Sequence, residues 1–202
     1  MRPQLKDLGP YYGKEPHSSE LLILTESFYL EFRDKEVDPD TWYAQGTSML
    51  NEFDRSYLNY DNIMRNKLPD GRWKERGCAI YRNLESALRD AGYPFIHNML
   101  DHCTIANCFL RPAINGQSLM LRPVDIEVAK EFVSEIDSSL RPKMIICASS
   151  KSFAHVVRHL KIQSEVVKVC HPASQWWNRD GGKHGRQKFI NAARENLSNQ
   201  PS

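Results

Sequence analysis

Four short runs constrain this chain more than anything else in it: Leu21-Leu22-Ile23-Leu24, Thr104-Ile105-Ala106-Asn107, Met144-Ile145-Ile146-Cys147 and the stretch from Val166 to Cys170. Each is too short for a stable helix, and their near-continuous apolar character fits strands buried on both faces, as parallel sheets require. Helical patterns lie between them. From Cys78 to Ala91, the residues Ile80, Leu84, Leu88 and Ala91 fall on one face, and Gly92 supplies a stop. The stretch from Val124 to Leu140 carries Asp125 and Glu127 in its first turn, where the helix dipole favours acids. Ser149 or Ser150 caps a helix expected to run to about Leu160, and a last helix runs from near His184 to about Asn196. This alternation predicts an α/β fold, a three-layer α/β/α sandwich around a short, mostly parallel central sheet.

The 202 residues, 41% of them hydrophobic, supply enough apolar mass for one core, so residues 1–202 read as a single domain. Residues 40–95, rich in aromatics such as Trp42, Tyr43, Tyr57, Tyr60 and Trp73, read as a helical insertion, an extra layer or a lid. Five cysteines without a C-x-x-C pair argue against a disulfide framework and for buried free thiols. No run approaches eighteen apolar residues, and the first residues lack the apolar core of a signal peptide. A cytoplasmic monomer without a membrane partner is expected. The net charge of +2 means that any basic surface must come from local clustering.

In a parallel α/β sheet the ligand site lies beyond the carboxyl ends of the strands. Here those ends are Thr25–Tyr29, Asn107–Pro112, Ala148–Lys151 and His171–Pro172. They hold the residues best suited to chemistry: Glu26 and Ser27, Phe28 and Tyr29, Asn107, and His171. Just past His171-Pro172 comes a polar, basic stretch with two adjacent tryptophans, VCHPASQWWNRDGGKHGRQ.

Three pieces of the chain, in order, resemble the motifs of the uracil-DNA glycosylase superfamily, and among its members those related to the family-four, thermophile-type enzymes. LLILTESFY is similar to the first-strand motif, which reads Gly-Gln-Asp-Pro-Tyr, Gly-Glu-Ala-Pro-Gly or Gly-Glu-Ser-His-Tyr in the superfamily. The block from Ile105 to Ser149 is similar to the middle region, a strand ending in Asn, an Arg-Pro loop, a helix, then LRPK and a strand. VKVCHPAS is similar to the closing His-Pro-Ser or His-Pro-Ala motif. The matches cover roughly residues 20–34 and 100–195. They depart from the family at Thr25, which replaces the motif-one glycine, at Ser27, which replaces the water-activating aspartate, and at Leu110, where a cluster-binding cysteine is expected. The N-terminal cysteine pair of family four is missing as well, so no iron–sulfur cluster, metal or other cofactor is expected.

The resemblance implies a hydrolase that cleaves the N-glycosidic bond of uracil or another modified base in DNA, duplex or single-stranded. It implies that His171 stabilises the departing anionic base, that Glu26 lies near the sugar and that Ser27 holds the water. Asn107 reads the base edge, and Phe28 or Tyr29 stacks on the flipped base. Ser174, Trp176, Trp177, Arg179, Lys183 and Arg186 belong to the loop that meets DNA, with a tryptophan as wedge. Other readings stay open for these residues: His171 as a strand-ending residue that bonds a backbone group, and the tryptophans as packing against the last helix or residues 40–95. A catalytically inactive nucleic-acid-binding protein on the same fold, or a hydrolase of free nucleosides or nucleotides, are the alternatives for the whole chain.

Overall fold

The computed structural model describes residues 3–10, 20–30, 35–56, 66–74, 78–94, 102–114, 117–179 and 185–198. The fold is α/β. Four parallel strands, β1 (Leu21–Thr25), β3 (Thr104–Asn107), β5 (Met144–Cys147) and β6 (Glu165–Lys168), lie in the order β3-β1-β5-β6. Two-residue strands β2 (Tyr29–Leu30) and β4 (Ala113–Ile114) pair in parallel as a second, small sheet. The α-helices among the described residues are α1 (Pro39–Gln45), α2 (Glu52–Ser56), α3 (Ala79–Ala91), α4 (Pro123–Leu140), α5 (Ser150–His155) and α6 (Gly185–Ser198).

The period of two along a strand explains the layers. Leu22 and Leu24 of β1, with Ile145 and Cys147 of β5, face a core closed by Val128, Phe132, Val133 and Ile136 of α4. Leu21 and Ile23, with Met144 and Ile146, face the opposite core, closed by Leu84 and Leu88 of α3 and by Phe189 and Ile190 of α6. Every residue of β1 is buried because helices cover both sides. Edge strand β6 is half exposed and ends in Glu165 and Lys168, charges that discourage pairing with another chain.

Strands β1, β3 and β5 follow the apolar runs closely. The last strand lies earlier than the expected 166–170, although the Val169 amide still bonds the Cys147 carbonyl at 2.9 Å. The helix after Ser149 stops at His155 instead of reaching Leu160. The β-branched pair Val156-Val157 follows directly, and both side chains turn into the core. Residues 79–91 of the segment expected as an insertion are a layer of the sandwich. Trp42 and Tyr43 of α1 are core residues too: Trp42 Nε1 donates to the Leu110 carbonyl at 2.8 Å. Tyr57 and Tyr60 lie outside the described residues.

One buried charge ties these pieces together. Asp125, fully buried in the first turn of α4, accepts from Arg111 Nε and Nη2, from Tyr43 Oη and from the Arg122 backbone N–H, each at 2.8 Å. Arg111, 1% exposed, also donates to Glu36 at 3.0 Å, to the Val37 carbonyl at 2.9 Å and to the Met120 carbonyl at 2.7 Å. One buried guanidinium, paired with both Asp125 and Glu36, thereby joins α1, α4 and the segments 36–38 and 120–122. Losing Asp125 leaves the buried guanidinium to the partly exposed Glu36, and breaking a buried pair in this way costs about 3–5 kcal/mol. Asp125→Ala is therefore expected to lower unfolding free energy in urea by about that much, against ~1 kcal/mol for removing the α5 cap in Ser149→Ala. Equal small losses in both variants would show that the pair is not the anchor.

Candidate functional site

The strand order reverses direction between β1 and β5, and the crevice at their carboxyl ends is where such sheets bind ligands. Glu26 follows β1 directly, and Ser149 follows β5. The two side chains meet there: Ser149 Oγ donates to Glu26 Oε2 at 3.2 Å. Beside them opens a cavity of about 550 Å3, within the range of small-molecule sites. Glu26, Tyr29, Ser118, His171 and Ser174 line it, with Gln117, Ala173 and the Cys78–Ile80 start of α3.

Glu26 is the most heavily engaged group in this wall. Ser118 Oγ donates to its Oε1, and Lys151 Nζ lies 3.4 Å from the same oxygen. The ammonium also donates to Ser118 Oγ and, at 2.7 Å, to the Leu119 carbonyl. A carboxylate, two hydroxyls and an ammonium thus form one connected network at the strand ends.

His171 enters from the far edge, where the chain leaves β6. Asn83 of α3 fixes the turn by donating to the Pro172 carbonyl at 2.8 Å. The Ala173 N–H donates to His171 Nδ1 at 3.3 Å, so the neutral ring carries its proton on Nε2 and can donate from there. Burial pushes the His171 pKa below 6.5, and the negative charge of Glu26 opposes the shift without cancelling it. The imidazole is therefore neutral at neutral pH. In the same wall, burial raises the Tyr29 phenol, with further contributions from Glu26 and Cys78. Tyr29 presents an uncharged ring. The Ser174 backbone N–H donates to the His171 carbonyl at 2.9 Å. Its hydroxyl is buried with no hydrogen-bond partner among the described residues.

Of the residues predicted from the sequence, Glu26, Tyr29, His171 and Ser174 share this cavity, and seven others among the described residues do not line it. Phe28 is 8% exposed and packs on Trp42 with ring centroids 6.0 Å apart, so of the two stacking candidates only Tyr29 faces the cavity. Ser27, 5% exposed, is buried and does not line the cavity. Asn107 is buried beside β1, its Oδ1 accepting from Thr25 Oγ1 at 2.6 Å. Trp177 is 1% exposed and meets Phe189 of α6 edge-on at 5.7 Å, which makes it a core residue and not a wedge. Its neighbour Trp176 is 44% exposed, with the Arg179 guanidinium 4.0 Å above its ring. Arg186 is not free for phosphate. It pairs with Asp90 and donates to Ser86 Oγ, which clasps α6 to α3. Lys183 lies outside the described residues.

Sequence reasoning missed Ser118, and it missed Lys151 as a site residue. Lys151 sits in a strand end that topology marks as a site, but a lone lysine carries no motif. Ser118 lies on the loop after β4, and only tertiary contact reveals it. The five cysteines are free, with Cys103, Cys108 and Cys147 buried; burial pushes the Cys147 thiol up to about 12. Among the described residues no group of His, Cys, Asp and Glu is arranged to hold a metal ion, and no helix is long and apolar enough to cross a membrane. No protein-family model matches the chain, and no curated protein matches it.

The electrostatics of His171 are directly measurable. Its folded-state pKa lies below the unfolded value, so its contribution to stability is complete above about 6.5 and is lost as pH falls through the folded value. In an NMR titration the ring is expected to titrate below 6.5, and Glu26→Gln is expected to move the midpoint lower still, because the opposing charge is gone. A midpoint that rises in the variant would contradict the geometry.

Proposed function

We propose that this protein is a DNA glycosylase-like hydrolase, which cleaves the N-glycosidic bond of uracil or another modified base in DNA. The observation that carries the reading is that Glu26 and His171, far apart in sequence, line one cavity with the imidazole held neutral. Breaking a glycosidic bond turns the sugar into an oxocarbenium-like cation while the base leaves as an anion. A neutral imidazole that donates from Nε2 stabilises the anion without first losing a proton, and it is positioned in advance of the reaction. The Glu26 carboxylate supplies negative charge for the cation. Tyr29 offers a ring face for a base that has left the duplex stack. The parallel strand order with helices on both faces supports a uracil-DNA glycosylase-like assignment. Exposed Trp176 under Arg179, on the loop after His171-Pro172, supports nucleic acid as the partner, since stacking on an aromatic is worth about 1–3 kcal/mol per base.

A second reading draws on Asn107. Its side-chain oxygen is occupied by Thr25, and it does not line the cavity. A protein that binds DNA on this fold without excising a base fits that observation.

Incubating the protein with oligonucleotides that contain uracil, hypoxanthine or modified cytosines, and reading free base by mass spectrometry, separates the two. Base release is expected, and His171→Ala is expected to slow it roughly 100- to 1000-fold, as removal of a comparable donor does elsewhere. Gel-shift binding without release from any substrate would select the second reading. Neither binding nor release would reject both.

A further inference from the structure

We propose that Ser118 holds the attacking water of this site and that Lys151 is the residue that positions Ser118, an inference that rests on the hydrolase reading above. The water-activating place in the first motif belongs by resemblance to Ser27, but Ser27 is 5% exposed and does not line the cavity. Ser118 does. A serine hydroxyl has one proton and two lone pairs. Here the proton goes to Glu26 Oε1, and one lone pair accepts from Lys151 Nζ. The second lone pair is left to accept from a water in the cavity.

The loop is rigid where this matters. Lys151 also donates to the Leu119 carbonyl at 2.7 Å. One residue on, Met120 is held through its carbonyl by Arg111 at 2.7 Å and through its N–H by Glu36 at 2.7 Å. Three consecutive residues are thus fixed by side chains from α5, the Arg111 loop and the segment before α1. Such fixing gives a bound water a defined direction of approach.

The step balances. The water oxygen bonds to C1′ as the C1′–N bond breaks, and the bonding pair leaves on the base nitrogen, stabilised by His171 Nε2–H. The water proton passes to Ser118 Oγ while the Ser118 proton passes to Glu26 Oε1. Glu26 then returns a proton to solvent, and the base nitrogen takes one from solvent. One water is consumed per bond.

The test uses a substrate from which the wild-type protein releases base. Ser118→Ala is expected to lower kcat by on the order of 100-fold, the low end for a lost general acid–base group, with KM little changed. In water–methanol mixtures the share of methyl glycoside among the sugar products is expected to rise, because no group then favours water over methanol. Lys151→Met is expected to fall in the same direction, and Lys151→Arg, which keeps a donor and a charge, to recover most of the rate. A Ser118→Ala protein with wild-type kcat, or with an unchanged methanol share, overturns this inference alone. A wild-type protein silent on every substrate overturns the hydrolase reading, and this inference with it.

Discussion

A guanidinium buried to 1% exposure must have its charge balanced and its donors satisfied, and Arg111 organises this protein by that requirement. Asp125 and Glu36 balance the charge, and Asp125 also closes the first turn of α4 through the Arg122 N–H. The Glu36 contact and the donors left over, which reach the Val37 and Met120 carbonyls, decide where two loops lie. The second of these carries Ser118 to Glu26. The cavity wall is therefore set from behind, by a charge cluster whose members do not line the cavity.

The sheet supplies the other half of the arrangement. With β1 inside the sheet, between β3 and β5, its carboxyl end delivers Glu26 to the point where the strand order reverses. His171 arrives from the edge strand and is held by contacts on both sides of its turn, to Asn83 on α3 and to the Ala173 and Ser174 amides. Trp177 anchors the same stretch by entering the core against Phe189, which leaves Trp176 displayed on the surface. The adjacent tryptophans thus divide their work: one fixes the loop, the other faces outward with Arg179.

Much of the scaffold was legible in the sequence because burial on both faces of a strand demands a continuous apolar run. LLIL and MIIC can satisfy little else, and TIAN occupies the same kind of place. The strand-end rule then pointed to Glu26, Tyr29 and His171 without any contact information. It failed where neighbouring residues have opposite fates, as with Ser27 and Glu26, Phe28 and Tyr29, or Trp177 and Trp176. One step along an irregular backbone turns a side chain from cavity to core, and no periodicity governs such a stretch. The network of Ser118 and Lys151 was illegible for a different reason. It is assembled from segments distant in sequence by the Arg111 pair, and nothing local marks either residue. The α3 layer reads as an insertion in the sequence because its helix lies inside an aromatic-rich segment with no motif of its own.

The proposed function requires that the neutral His171 ring stabilise a departing base anion. The most direct measurement compares single-turnover excision of uracil and of 5-fluorouracil, a more acidic and hence better leaving group, by the wild-type protein and by His171→Ala. If His171 carries the developing charge, the variant's defect is smaller on 5-fluorouracil, because the better leaving group needs less help. An equal defect on both bases would contradict the claim and leave His171 as a residue that only closes a turn.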